Sequence, residues 1–529
     1  MAARNADYGS CVFAPLDLRV DASDPGKNRS LNAQPRRGAT WCRGWLSGAP
    51  CDGCRKSMDE ELETDYLVIG SGAAGMAFTD ALLSYSDATV TIVDRRHAPG
   101  GHWVDAYPYV RLHQPSAFYG VSSVPLGHDA LDLTGTNAGF YELAGASEIL
   151  AYYAHVMHRR FLPSGRVRYF ANCDYLGEHR VTSRLAGRSW QVRVRRKIVD
   201  TTYLEGSFPA TSAPPFEVAD GVCCVHAGEI TRIEKCPERF VIIGGGKTAL
   251  DACVWLLEEG VSASAIRWIR PRESWWVNRR FQQPHSLLPD LYRGLAIQIE
   301  SMAKATSVDD LFVRLEAEGF FVRLDPNVVP TMFRGAVVSE SELQLLSRIE
   351  DVVRMGHVRK IENDAIVLDE GRVPTSAGTV HVHCAARGLA RRPLRPIFEP
   401  GQVTIQPFLW SFACFPFAML GVVEATIERD EEKNRLCRPL AHWDKNPDYL
   451  SAFLATLVHS RTRASHPAVA NWAKTTRLNP LNGIALCRDD PTVKKAHELI
   501  SRFGAAAAEN LDKLLRSGIA APPAVVDAH

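Results

Sequence analysis

Apolar and aromatic residues run without a break from Tyr66 to Ile69, the pattern of a short strand buried on both faces of a parallel sheet. Met76 to Leu83 follows with good helix formers, and Ala88 to Val93 reads as the next strand, ending on Asp94. The same order recurs further on. Phe240 to Ile243 is a buried strand, Leu250 to Glu259 a helix closed by Gly260, and Ala265 to Ile269 a further strand. Between these units, residues 147–162 place Ile149, Leu150, Tyr153 and Met157 on one helical face. Trp190 to Val199 reads as a strand with one wet face, because Arg193, Arg195 and Arg196 fall within it. Residues 283–350 read as mostly helical, with a capping box at Ser339 and Glu342. Strands return at Ala365 to Leu368 and Thr379 to Ala385. The last hundred residues read as helices, with Leu499, Phe503, Leu511 and Leu514 as a core-facing stripe. Strands alternating with helices predict an α/β fold with two Rossmann-like units and a helical C-terminal region.

Composition narrows this picture. The chain has 529 residues, room for two or three domains with proper cores. Apolar content of 46% and charge of 23% are those of a soluble globular protein, and a net charge of +1 gives no reason to expect nucleic acid as a partner. Thirteen cysteines, an odd number scattered through presumed core elements, suggest reduced thiols. The most apolar run, Leu409 to Val423, is interrupted by Ser411 and Pro416 and is short for a bilayer, so no integral membrane span is expected.

Residues 1–57 mix Pro, Gly, Asn, Ser and Arg without period and read as a disordered extension. Arg36, Arg37 and Arg43 would suit an organelle transit peptide; Asp17, Asp21 and Asp24 argue against one. No apolar signal core is present, and a cytoplasmic location is expected, with organelle targeting by 1–57 left open. Cys51 and Cys54 form a bare C-x-x-C without a second pair, so no metal site is assigned to them. The folded protein is expected to begin near Met58.

The chemistry lies in the turns. Gly70, Gly72 and Gly75 have the G-x-G-x-x-G spacing between strand and helix. Gly70 permits the turn, Gly72 lets a pyrophosphate approach the backbone, and Gly75 lets helix and strand pack closely. Ala73 and Ala74 then offer helix N-terminal N–H groups to phosphate. Asp94 stands near the ~20-residue distance expected of the acid that bonds a ribose hydroxyl. Arg95 follows it, and Gly100, Gly101, His102 and Trp103 suggest backbone passing close to a ligand.

In the second unit Gly244, Gly246 and Ala249 have the G-x-G-x-x-A form, with Lys247 and Thr248 inside it. Its second strand ends in Arg270-Pro271-Arg272 instead of an acid, which favours NADP over NAD, unless these arginines are solvated surface charge. Two units with different ends imply two dinucleotides: FAD on the first and NADPH on the second.

These motifs resemble the class B flavin monooxygenases, which comprise flavin-containing, N-hydroxylating and Baeyer–Villiger enzymes. Gly70 to Gly75, Asp94, Gly100 to Trp103 and Gly244 to Asp251 carry the resemblance, over about 60–425. Arg111-Leu112-His113-Gln114-Pro115 with Phe118 is similar to the L-H-x-P loop of plant auxin-forming members. Ala385 to Gly388 stands in place of an A-T-G loop. Gln406 to Ala425 resembles the segment leading to the helix that faces the flavin, which would put Gly421 and Val422 by the ring.

The implied domains are an FAD-binding domain in two parts, 58–235 and 376–425, with an NADP-binding domain and helical insertion at 236–375. A helical region follows at 426–529. The implied reaction passes hydride from NADPH to FAD and one oxygen atom of O2, through a flavin hydroperoxide, into a small organic substrate. Trp103, Tyr107, His113 and Gln114 are candidates near the ring. Arg279 and Arg280, after Trp275-Trp276, are candidates to hold the nicotinamide or a peroxide anion; structural roles for His113 and both arginines stay open.

The chain departs from the family at three places. Gly221 to His226 is one residue longer than the F-x-G-x-x-x-H fingerprint, with Ile230 at its aromatic position. Thr201-Thr202-Tyr203 replaces an A-T-G, and Val121-Ser122-Ser123 runs where an asparagine is expected. A disulfide reductase, another dehydrogenase or oxidase, or a non-catalytic flavoprotein subunit are the alternatives. The first lacks a cysteine pair near Gly100-Gly101, and adjacent Cys223-Cys224 would be a strained disulfide. Oligomeric state is not legible.

Overall fold

The computed structural model describes residues 60–518, apart from 204, 207, 386 and 387. The expectations for residues 1–57, for Cys51 and Cys54 and for Met58 lie outside the described residues, as do Ala386 and Arg387 of the A-T-G-like loop.

Two parallel sheets organise the fold, and each begins with one of the glycine turns. The first has the order Phe398–Glu399, Gln402–Thr404, Ser189–Asp200, Glu60–Ile69, Val90–Asp94 and Val167–Ala171. From Gln402–Thr404 onward every neighbour on this path is parallel. The opening strand is longer than the apolar run that announced it. Glu60 to Thr64 extend it beside Trp190 to Val194, with a register shift between Thr64 and Tyr66. Polar residues are tolerated in this half because Arg193 and Arg195 form ion pairs with Glu63, and Arg195 also with Asp65. Tyr66 to Val68 are fully buried, as four adjacent apolar residues require.

The helix Ala73–Tyr85 packs on this sheet, and Cys414–Thr426 packs on that helix. The run Leu409 to Val423 is therefore core, and no helix among the described residues is long and apolar enough to cross a membrane. Glu424 accepts from Tyr66 Oη at 2.9 Å and pairs with Lys433 at 2.6 Å, a buried clamp between helix and strand.

The second sheet has the order Val352–Val353, Ile266–Ile269, Arg239–Ile243, Thr379–His383 and Cys224–His226, all parallel. Lys247–Glu258 is its glycine-turn helix. Thr379–His383 belongs here because Val380 and Val382 are buried in this sheet's core. The boundary expected at 375/376 therefore falls one strand early, and the chain rejoins the first sheet only at Phe398–Thr404. Cys224–His226 likewise crosses the boundary expected at 235/236.

The stretch 283–350 is less helical than its pattern suggested. Helices Leu288–Lys304, Val308–Ala317 and Glu340–Leu346 flank a small sheet of Phe321–Val322, Ser274–Asn278 and Met332–Val338. An aromatic cluster including Trp275, Phe312, Phe321, Phe333 and Tyr449 fills its core. The C-terminal region is helical, and Leu511 and Leu514 of Pro491–Gly518 are buried in that same core. The capping box is present: Ser339 Oγ accepts from Glu342 N–H at 3.1 Å, and Glu342 accepts in return from Ser339 N–H at 2.7 Å. Every cysteine among the described residues is a free thiol.

Candidate functional site

One cavity of about 650 Å³ runs between the two glycine turns. Its size is that of small-molecule and cofactor sites, which span roughly 300–1,000 Å³. On one side it is lined by Gly70, Gly72, Ala73, Ala74, Asp94, Arg95, Gly101, His102 and Trp103. The loop 110–114 supplies His113 and Gln114, and Lys247, Thr248 and Asp251 close the other side.

The first turn is built for close approach. Gly72 caps its helix without a side-chain bond, so the N–H groups of the first helical turn have no intrahelical partner. Gly101, at φ +60°, lies so near that a Cβ there would be 2.8 Å from Gly72 Cα. A Cβ on Gly75 would be 2.1 Å from Gly70 O, which is why strand and helix can meet only through glycine. Asp94 accepts from Ser71 N–H (2.6 Å) and Ser71 Oγ–H (2.7 Å), and its second oxygen accepts from Arg96 N–H at 2.9 Å. A bare peptide floor, open helix N–H groups and a fixed carboxylate fit the pyrophosphate and ribose of a dinucleotide such as FAD.

Two of the histidines that line the cavity have lowered pKa values. His102 opens toward the cavity and stacks on Phe208 with ring centres 5.3 Å apart; desolvation by the surrounding protein, with Arg96 nearby, lowers its pKa to about 4. His113 is lowered to about 3, by burial first and then by Lys247 and Arg279. Its Nδ1 faces Val337 N–H at 3.2 Å and accepts from it, so the proton of the neutral ring is assigned to Nε2. Trp103 Nε1–H donates to Tyr119 Oη at 2.6 Å, and Gln114 Nε2–H to Phe118 O at 3.4 Å.

The second turn carries a buried ionic network. Lys247 Nζ lies 2.6 Å from Asp251 and 3.1 Å from Glu342. Arg279 pairs with Glu342 at 2.7 Å and donates to Asn137 Oδ1 at 3.2 Å, while Tyr107 Oη–H donates to Asp251 at 2.7 Å. Burial alone would raise the Glu342 pKa; Lys247 and Arg279 hold it at about 2. Gly246 caps its helix without a side-chain bond, and a Cβ there would meet nothing within 4 Å. That open peptide beside Lys247 and Thr248 fits a second pyrophosphate.

Several expected site residues lie elsewhere. Arg279 is 1% exposed and committed to Glu342, because a buried guanidinium needs a counter-charge. Arg280 points outward and pairs with Asp290 at 3.1 Å. Arg270 is 4% exposed, stacked 4.7 Å over Trp268, with Nε 3.2 Å from Glu273; it lines a separate cleft of about 330 Å³ with Arg354 and Asp325. Arg272 is paired with Asp444 at 3.1 Å.

Gly421 is not beside the cavity. Its Cβ would meet Phe78 O at 2.4 Å, so this glycine lets two helices touch; Ala413 and Phe417, at the N-terminal end of the same helix, reach the cavity instead. Gly75, Gly244 and Ala249 shape the turns without lining the cavity, and Ala249 is fully buried.

Other lining residues went unassigned in the sequence. Asp251 sits one helical turn after Lys247, a spacing that could have revealed the pair. Thr201 and Thr202, in the altered A-T-G position, line the cavity, as does His226 of the lengthened fingerprint. Glu342 had shown only its capping role.

The NAD(P)-binding Rossmann-like domain model matches residues 68–118, the first turn, its second strand and the Gly100–Trp103 segment. The uncharacterized protein Rv2000 of Mycobacterium tuberculosis is 44% identical over 421 residues, covering 79% of this chain and 78% of that one. The uncharacterized protein Mb2023 of Mycobacterium bovis matches to the same extent. The chain belongs to their family. Its two sheets, each opened by a glycine turn, make an α/β fold with Rossmann-like units. Among solved structures it is similar to an oxidized steroid monooxygenase bound to NADP (15% identity, 84% of this chain and 98% of that one, TM-score 0.45). It is also similar to the polycyclic ketone monooxygenase of Thermothelomyces thermophila (12% identity, 88% and 90%, TM-score 0.45).

Proposed function

We propose that this protein is an FAD- and NADPH-dependent monooxygenase that places one oxygen atom of O2 in a small organic substrate. The observation that carries the reading is the one cavity lined from both glycine-turn helices, which lets two dinucleotides meet in one space. The chemistry supplied by bound FAD is acceptance of hydride from NADPH and delivery of electrons to O2.

The chain's own part is binding, orientation and exclusion of water. Gly72, Ala73 and Ala74 present N–H groups to the FAD pyrophosphate, and Asp94 accepts from its ribose. Gly246, Lys247 and Thr248 do the equivalent for NADPH. His113, neutral and with its proton on Nε2, is a fixed hydrogen-bond donor among the lining groups. Leu112, Tyr119, Ile405 and Phe417 make the wall between the turns largely apolar, which keeps water from the reacting centre. A disulfide reductase is disfavoured, because among the described residues Cys173 is the one cysteine that lines the cavity.

The test is turnover of amines, thioethers and ketones by the purified protein with NADPH and isotope-labelled O2. One labelled oxygen atom in the product supports the reading. NADPH oxidation with every substrate but no label in any product would reduce it to a dehydrogenase or oxidase.

A further inference from the structure

Trp268 and Arg270 alternate with Ile269 at the end of the strand Ile266–Ile269, so both turn to one face of the second sheet. Trp268 pairs with Val352 on the edge strand, and Arg270 N–H donates to Val353 O at 2.9 Å, which sets Arg354 beside Arg270. These residues line the cleft of about 330 Å³, at the lower end of the range for small-molecule sites. Its other walls are mostly apolar, made by Leu324, Pro326, Leu346 and Ile349.

The cleft shares no lining residue with the cavity between the glycine turns. Trp268 stands between the cleft and the second turn. Its Nε1–H donates to Gly244 O at 2.8 Å, and its ring carries the Arg270 guanidinium at 4.7 Å.

The two guanidiniums share their acids unequally. Glu273 lies 3.2 Å from Arg270 Nε and 2.8 Å from Arg354 Nε, while Asp325 lies 2.6 Å from Arg354 Nη2. Arg354 therefore has two carboxylates and Arg270 a share of one. Among the described residues the Arg270 side chain makes no hydrogen bond, and its Nε is buried without a partner. Burial pushes the Arg270 pKa down, with Glu273 opposing. A guanidinium so enclosed lacks acceptors for its terminal amino groups, and the cleft it lines is where an acceptor can enter.

Charge limits what enters. Asp325 and Glu350 also line the cleft, so a dianion such as a phosphate monoester is repelled. The two oxygens of a single carboxylate match the planar guanidinium fork, and the aliphatic walls suit an apolar body.

We propose that this cleft is a second ligand site, binding a small monocarboxylic acid with its carboxylate on Arg270 and its apolar body against Leu346, Ile349 and Val352. It is independent of the dinucleotide reading of the two turns.

The experiment is calorimetric titration of the full-length protein with benzoate and with cyclohexanecarboxylate. Both should bind saturably. Benzyl alcohol, which keeps the ring and lacks the carboxylate, should bind about tenfold more weakly than benzoate. Arg270→Lys keeps the charge and loses the fork, and should weaken benzoate about tenfold. Ser347→Trp, at an exposed position lining the cleft, should block entry, and it carries the test where Arg270→Lys does not fold. Excess NADP⁺ should leave benzoate binding in place. No saturable binding of either acid, or wild-type affinity for benzoate in every variant that folds, overturns the proposal. Displacement of benzoate by NADP⁺ overturns it as well, because the cleft would then belong to the dinucleotide site.

Discussion

The two glycine turns share spacing, strand and helix, yet they have become different devices. The first is a bare peptide surface: Gly72 and Gly101 meet backbone to backbone, and the Asp94 carboxylate is bound to the Ser71 N–H of the turn itself. The second carries Lys247 on its helix and ties it through Asp251 and Glu342 to Arg279 and Tyr107. The first turn excludes side chains, whereas the second uses them to join both lobes of the cavity. A glycine pattern therefore specifies where a backbone can approach phosphate, and the surrounding charges decide what else the site does.

The sharpest way to break the comparison is to put valine at the equivalent glycines. Gly72→Val places a branched side chain against Gly101, whose Cα is already 3.3 Å from a Cβ at that site, and should leave no flavin bound after purification, read from the visible spectrum. Gly246→Val meets open space, so the variant should keep its fold and flavin and lose only NADP⁺ binding. Equal effects at both turns would abolish the distinction.

Next in size is Glu342→Ala. It strands Arg279 as an uncompensated buried charge and leaves Lys247 with Asp251 alone, and should cost about 3–5 kcal/mol in denaturant unfolding. A loss below about 1 kcal/mol, the range of exposed pairs, would mean the network is solvated.

The third positions of the motifs offer a smaller contrast. Gly75→Ala drives a methyl into Gly70 O and should destabilise by about 1–3 kcal/mol, whereas Ala249→Gly loses a buried methyl and helix propensity, about 1–2 kcal/mol. Both cost stability, but only Gly75→Ala should also displace the flavin.

The gentlest test is pH. His113 has a folded pKa near 3, below its ordinary 6.5, so the unfolded chain binds the extra proton between those values. Stability should therefore fall as pH drops through this window, by up to about 1.4 kcal/mol per unit. His113→Gln should flatten that part of the slope, measured as unfolding free energy between pH 6.5 and 4.5. An unchanged slope would show that His113 titrates normally.

Much of the fold was legible because its signals are local. Four adjacent apolar residues bury a strand, three glycines at fixed spacing turn it into a helix, and Ser339 with Glu342 starts another helix, all within a few residues. For the same reason the sequence indicated the cavity's first wall, Gly70 to Ala74 with Asp94 and Gly101 to Trp103. His113, Gln114, Lys247 and Thr248 also line the cavity.

Residues whose roles depend on distant partners were not legible. Gly421 reads as a ligand contact until Phe78 and Ala81 are seen against it. Arg279 reads as catalytic until Glu342, 63 positions away, takes its charge. Arg270 and Arg272 look equivalent beside Pro271, but one stacks over Trp268 beside Glu273 and the other reaches Asp444. Backbone geometry follows from neighbouring residues and so determines the two turns by itself. The fate of a charge depends on which counter-charge and how much water surround it, and only the packing of remote segments decides that.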